Sequence, residues 1–335
     1  MPGIVDRVDA AQRRRRGLAV PLAVVYKFFD DQGNYLAAVV TYYAFVAIFP
    51  LMLIASSILG FVLQGDDALR ERVLDSALGQ FPVVGTQLGR PQGLRGSASA
   101  VVAGSLAALY GVVGLGQASQ HAINTTWAVP RNSRLNPVVS RLRSLILLVL
   151  GGLALLVVAV LSSLAPRLEV FGSQLNTGIQ ILVNVVSVAL TAVVLAVMMN
   201  LATSHRRTLR AVLPGAAAVA LQWQLLQLGG GIYVGRVVSR ASEMNGVFAV
   251  VLGLMVLLYI AAVMAVLGME INVVLDRKLY PRALLTPFTD AVELTDADRR
   301  VYSDYAKAQR HKGFERVRVS FEPPPKAEEH ERASG

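Results

Sequence analysis

The sequence predicts an all-α, polytopic membrane protein with about six transmembrane helices, plus interfacial amphipathic helices. Three observations lead there. Hydrophobic residues make up 54% of the 335 and charged residues only 16%, against roughly 25% charged in ordinary soluble domains. The charges are clustered. Between the clusters lie six windows free of Asp, Glu, Lys and Arg, at 32–64, 96–130, 144–166, 170–204, 211–235 and 244–269.

Each window exceeds the roughly 20 residues that cross about 30 Å of hydrocarbon at 1.5 Å per residue. A Leu-like residue at the centre of such a helix contributes about 0.3–0.6 kcal/mol to insertion, so a full span gains several. A soluble bundle would have to bury six such helices with no charged face, whereas most soluble helices keep a wet side. Membrane strands are excluded by pattern, because they alternate strictly over about ten residues and these windows are continuous and longer.

The elements follow in order. Residues 1–34 form a basic arm. Arg13, Arg14, Arg15 and Arg16 precede the apolar stretch 18–29, interrupted only by Lys27. An interfacial helix is expected there, its arginines against anionic lipid headgroups. Residues 35–280 form the transmembrane domain. Pro50 removes a backbone hydrogen bond in span one and predicts a kink. After span one, Leu69, Val73, Ala77 and Leu78 recur at helical spacing among Asp66, Asp67, Glu71 and Asp75, which predicts a short amphipathic helix, either interfacial or packed on its neighbours. Span five is the weakest, diluted by Gln222, Gln224, Gln227 and the triplet Gly229, Gly230 and Gly231. Residues 281–335 form a polar tail. Thr295 with Asp298 makes a capping pattern for a short helix running toward Gln309, and the stretch from 323 onward reads as disordered.

Lys and Arg concentrate on the cytoplasmic side of membrane proteins. The arm, the loop with Arg131, Arg134, Arg141 and Arg143, the loop with Arg206, Arg207 and Arg210, and the segment with Arg277, Lys278 and Arg282 share one face of a six-span chain. The other face holds Arg70, Arg72, Arg90 and Arg95 spread over a longer loop, then Arg167, Arg236 and Arg240. Both termini are therefore expected in the cytoplasm. The net charge of +10 addresses the bilayer's anionic headgroups rather than nucleic acid. With no cysteine, disulfides, thiolate nucleophiles and Cys-based zinc sites are excluded. The first strongly apolar stretch begins beyond Gly33, too late and too long for a cleavable signal peptide.

Several segments resemble a known family. Leu36-Ala37-Ala38 through Thr41-Tyr42-Tyr43-Ala44 and Phe49-Pro50-Leu51 resembles the "LAAALTYYALFSLFPLL" opening of the YihY/BrkB family of bacterial inner-membrane proteins. Phe81-Pro82 falls where that family has a proline after its outer amphipathic segment. Ala122-Ile123-Asn124-Thr125-Thr126-Trp127 is similar to its "ALNxxW" ending of span two. Asn245-Gly246-Val247-Phe248-Ala249 resembles its "YGxxAxxP" start of the last span, without the proline. Gly268-Met269-Glu270-Ile271-Asn272 looks like its "GAEIN" finish, with Met269 in place of Ala. The resemblance runs in order from Arg16 to Leu279. It implies six spans in a bacterial plasma membrane. It implies no settled activity, since members have carried ribonuclease BN, serum-resistance and transporter labels.

Candidate chemistry comes from the polar residues within the spans. Phosphodiester cleavage needs clustered His and Asp ligands around metal ions, but His121, His205, His311 and His330 are far apart in sequence. No Gly-x-Ser-x-Gly elbow is present. An enzyme is therefore not expected, and neither a metal nor a cofactor. Gln117, Gln120, His121, Asn124 and Thr125 recur at i, i+3, i+4, i+7 and i+8, one helical face of span two. Lipid cannot satisfy them, so they either join helices or line a route. Glu270 and Asn272 at the end of span six pose the same choice, Glu270 with a loop arginine as its structural partner. Thr41, Tyr42 and Tyr43 on span one, Asn184 on span four and Gln224 on span five complete the candidate route-lining set. Two functions are consistent with it: a transporter or permease for an unknown small solute or lipid, and a non-transporting envelope scaffold. The sequence leaves the oligomeric state open.

Overall fold

A computed structural model describes residues 4–62, 98–164, 173–205, 207–237, 243–284, 286, 289 and 292–322. Among them all regular structure is helical. Helix α1 (Ile4–Arg14) is charge-rich, with Arg13 paired to Asp9 one turn earlier at 2.6 Å. Extended backbone at Arg15 separates it from α2 (Arg16–Asp30). Helix α2 is amphipathic. It buries Ala19, Ala23, Val24, Phe28 and, unexpectedly, Lys27, while Leu18 and Phe29 stay exposed. Gln32 takes a left-handed φ of 55° to turn the chain. Helix α3 then starts at Gly33, where any Cβ would strike the Phe28 ring.

Six long helices follow: α3 (Gly33–Val62), α4 (Ala98–Thr126), α5 (Pro137–Leu164), α6 (Ser173–Ala202), α7 (Leu209–Val237) and α8 (Glu243–Asp276). Each packs on the next, and α8 returns to pack on α3, closing the ring; α2 lies against α8. Helix α3 runs on beyond Pro50, and α7 continues through its glycine triplet. Asn184–Ala202, Leu209–Gln227 and Val251–Asp276 are each long and apolar enough to cross a membrane, and Gly33–Ile48 is a shorter apolar stretch. The outward faces carry Val149, Leu153, Ile181, Leu182, Val185, Leu252 and Val256. Water would penalise so broad an apolar belt, and hydrocarbon accommodates it.

Small residues set the helix spacing. A Cβ at Gly111 would meet the α3 backbone at Val46 and Ala47, and one at Gly114 would meet the Tyr43 ring. Between α7 and α8, Gly215 and Gly268 bring the two backbones into contact. Such close approach is how helices associate where the solvent is as apolar as their side chains.

After α8 the chain folds back on the bundle end. Helix α9 (Asp296–Ala308) starts with the predicted capping box: the Asp298 amide donates to Thr295 Oγ1 at 3.1 Å, and the Thr295 amide donates to Asp298 Oδ2 at 3.0 Å. Thr295→Ala should destabilise α9 by about 1 kcal/mol, read as faster amide exchange at Val301, which packs in the main core. Unchanged exchange would show that α9 is held by packing alone. The amphipathic segment around Leu69 to Leu78, the arginines at 70, 72, 90, 95, 167, 206 and 240 and the stretch from 323 onward lie outside the described residues.

Candidate functional site

The buried charges of the described chain gather where the ends of α2 and α8 meet the segment leading to α9. Lys27 Nζ lies 2.5 Å from Asp31 Oδ2 and 3.1 Å from Glu270 Oε2, and all three side chains are at most 2% exposed. Two carboxylates thus share one ammonium. Neither Glu270 carboxylate oxygen has a hydrogen-bond partner among the described residues, so Lys27 holds Oε2 as an ion pair. The Tyr305 ring of α9 lies 5.6 Å from Lys27 Nζ. Burial pulls the Lys27 ammonium toward neutrality, but the Glu270 and Asp31 carboxylates outweigh it and its pKa lies above the ordinary lysine value. Burial, reinforced by the same carboxylates, raises the Tyr305 phenol far above its usual range.

A second network lies beside it. Arg282, 1% exposed, pairs through Nε with Asp298 and at 3.0 Å through Nη2 with Asp30. The Ala283 amide donates to the other Asp298 oxygen at 3.0 Å. Tyr26 donates to the Leu284 carbonyl, and Gln12 Nε2 donates to the Arg282 carbonyl at 2.5 Å. Burial pushes the Asp30 pKa up, and Arg282 only partly counters it. The Arg282 pKa rises despite burial, because Asp298 and Asp30 both hold its charge. The two networks fasten α1, α2 and the post-α8 segment to the bundle as one layer.

The partner of Glu270 differs from expectation. It is Lys27 of α2, not a loop arginine, because α2 packs on α8 and the nearby loop arginines are occupied. Arg277 binds Asp304 at 2.6 Å and the Trp127 carbonyl at 2.8 Å, and Arg282 binds the acids just described.

The other candidate residues are dispersed. Gln120 is buried, donates to the Ser140 carbonyl and to Ser144 Oγ, each at 2.9 Å, and accepts from Ser140 Oγ, joining α4 to α5. Asn124 accepts from the Ser204 amide at 2.9 Å and donates to the Gln120 carbonyl. Asn272 accepts from the Gly215 amide at 2.6 Å and donates to Met199 Sδ, tying α8 to α7 and α6. Thr41 is buried and bonds back to the Ala37 carbonyl. Tyr42 is exposed; with Thr41, Ala38, Met255, Val256 and Tyr259 it lines a lateral groove of about 330 Å³ between α3 and α8. Tyr43 meets the Tyr42 ring edge-on and the Tyr110 ring at a tilt. Gln117 and Gln224 are half-buried, and Asn184 is exposed on the outer face of α6. His121 is exposed, with Nδ1 3.3 Å from Arg134 Nη1. Arg14, Arg15 and Arg16 are exposed, and Arg13 is held by Asp9.

Sequence reasoning missed the Lys27–Asp31 pair and the Arg282–Asp298 pair. One signal was available for the first pair. Lys27 is the single charge in an otherwise apolar stretch, and Asp31 follows at i+4, the spacing of a helical ion pair. Nothing local joins Arg282 to Asp298, which lie 16 residues apart.

Among the described residues no group of three or more His, Asp or Glu side chains is placed to hold a metal ion. Neither a curated protein nor a solved structure matches the chain. One family model does, that described as Virulence factor BrkB, over residues 24–290. That match spans well over half of the chain, from the middle of α2 past the end of α8, and includes Lys27, Asp31, Glu270 and Arg282. This membrane protein, helical in all the regular structure of its described residues, therefore belongs to the Virulence factor BrkB family.

Proposed function

We propose that the chain is a multi-pass transporter of the bacterial plasma membrane, its termini in the cytoplasm, in which the α1–α2–α9 layer closes one end of a route between the helices. The supporting observation is Glu270. It is a fully buried acid on a membrane helix, held by an ammonium that belongs to a helix outside the ring. Ionisable groups at such depth are costly and commonly mark ion or substrate paths. Its partner rides on an element that can leave the ring without unthreading it. Breaking the Lys27–Glu270 pair would remove one tie between the layer and the bundle and leave the acid without its counter-charge.

The test is flux in proteoliposomes over a panel of small solutes and labelled lipids. The wild type should move at least one of them faster than protein-free vesicles, and Glu270→Gln should change that rate about tenfold, the scale of 1.4 kcal/mol in a gating equilibrium. Flux indistinguishable from empty vesicles across the panel would count against transport.

A second reading is a non-transporting envelope scaffold. Gln120, Asn124 and Asn272 favour it, because their polar groups are engaged between helices. A partner co-purifying stoichiometrically through the α9 face, without any flux, would support it.

A further inference from the structure

A corner at the same end of the bundle contains hydrogen-bond donors without acceptors among the described residues. Trp127 follows the last turn of α4 and is fully buried, yet its indole Nε1–H has no partner among the described residues. The Arg207 guanidinium lies over the indole ring, 4.4 Å from its centroid, and its Nε–H is also buried and unpartnered among the described residues. The Ser204 hydroxyl, three residues before Arg207, is in the same condition. The amides of these two residues are fixed: Ser204 N–H donates to Asn124 Oδ1, one turn before Trp127, and Arg207 N–H donates to Asn200 Oδ1. The side chains are thus set in place while their own donors stay idle. Each buried unpaired donor costs stability, and here three belong to one corner.

The charge there is positive as well. Arg277 flanks the same indole at 5.8 Å from its centroid, but Asp304 and the Trp127 carbonyl occupy it. Arg207 has no carboxylate within ion-pair distance among the described residues. Burial and the Arg277 guanidinium lower its pKa, and Asp276 only partly offsets them. The N-terminus of α7, at Leu209, adds its partial positive charge two residues on. An indole N–H, a hydroxyl, a guanidinium and a helix N-terminus together suit a compact oxyanion with several acceptor oxygens. Helix α4 ends at Thr126, α6 at Ala202 and α8 at Asp276, while α7 starts at Leu209. All four meet at this level, where bilayer phosphates lie if these helices span.

We propose that Arg207, Ser204 and Trp127 form a binding site for a phosphate group. It can be supplied by a phospholipid headgroup or by free phosphate. The proposal holds whether or not the chain transports anything, because it concerns occupancy and not movement.

The chain has two tryptophans, Trp127 and Trp223, so Trp223→Phe leaves Trp127 as the sole fluorescent reporter. The delipidated full chain in detergent would be titrated with inorganic phosphate, with short-chain phosphatidic acid and with chloride at equal ionic strength. Phosphate or phosphatidic acid should shift Trp127 emission saturably, and chloride should not. Arg207→Gln should weaken the response about tenfold, the loss expected for one charge-assisted hydrogen bond; Ser204→Ala should weaken it less. A response to both ligands identifies the phosphate group itself as sufficient. A response to phosphatidic acid alone assigns the site to lipid. No saturable shift with either, or equal responses from wild type and Arg207→Gln, would mean that the corner holds water or an adventitious ion only and would overturn the proposal. Since Arg207→Gln could unfold the corner, native mass spectrometry of the milder Arg207→Lys variant provides a second reading. Retained phospholipid should fall below wild type while the thermal midpoint stays within a few degrees. Undiminished retention together with an undiminished response to inorganic phosphate would also overturn it.

Discussion

Lys27→Met should destabilise the detergent-solubilised protein by about 3–5 kcal/mol, the cost of removing one member of a buried ion pair. The methionine fills similar space, so packing changes little. Asp31 and Glu270, however, are left buried together with no counter-charge. The prediction is distinctive in its couplings. Lys27→Met with Glu270→Gln should recover part of the loss, and adding Asp31→Asn should recover most of it, because the penalty lies in the stranded charges. Thermal unfolding of the single, double and triple variants gives the answer; losses that simply add would sink the idea. A pH dependence follows from the same network. The Lys27 pKa is raised above the ordinary value of 10.5, so the ammonium is favoured by folding. Its contribution is complete below that ordinary value and disappears as pH climbs through the higher folded-state value. Over neutral and mildly alkaline buffers, stability from this source should be flat.

Gly215→Val should be comparably disruptive for a different reason. A Cβ at Gly215 would occupy the position of the Gly268 carbonyl oxygen on α8 and crowd the Asn272 amide. A backbone carbonyl cannot rotate away as a side chain can, so α7 and α8 must separate. Overpacking costs about 1–3 kcal/mol. Loss of the Gly215 N–H to Asn272 hydrogen bond adds about 1 kcal/mol. Gly152→Ala on α5 is the matched control. Nothing lies within 4 Å of its Cβ position, so the helix should gain about 0.5–1 kcal/mol from the replacement. If both substitutions lowered the thermal midpoint equally, the α7–α8 contact would not be the cause.

Several features were legible from the residues because they are local. The capping box at Thr295 depends on two side chains three positions apart, and it formed as predicted. The helical character of the long apolar windows depends on the sum of their own residues, and α3 to α8 each develop from one of them. The fate of the polar face on span two was not legible. Gln120, Asn124 and His121 share a side by periodicity, yet Gln120 engages α5, Asn124 receives an amide from the segment after α6, and His121 is exposed beside Arg134. Periodicity orders residues around an axis, but the neighbours facing each sector are set by how other helices pack. The same holds for Glu270. The sequence indicated that it needs a partner, and loop arginines were nearest in the chain. In space, the docking of α2 on α8 placed Lys27 closer.

From the sequence alone came the helical, membrane-embedded character of the protein and its order of elements, since hydrophobic insertion and helix capping sum contributions from neighbouring residues. Only the tertiary structure decided which charges are interior. In one dimension nothing joins Lys27 to Glu270, and Arg282 and Asp298 look like a flanking charge and a helix cap. They become buried pairs because two helices outside the ring fold over its end, and an ion's burial cost is met by whichever opposite charge the fold brings within about 3 Å, at any separation along the chain.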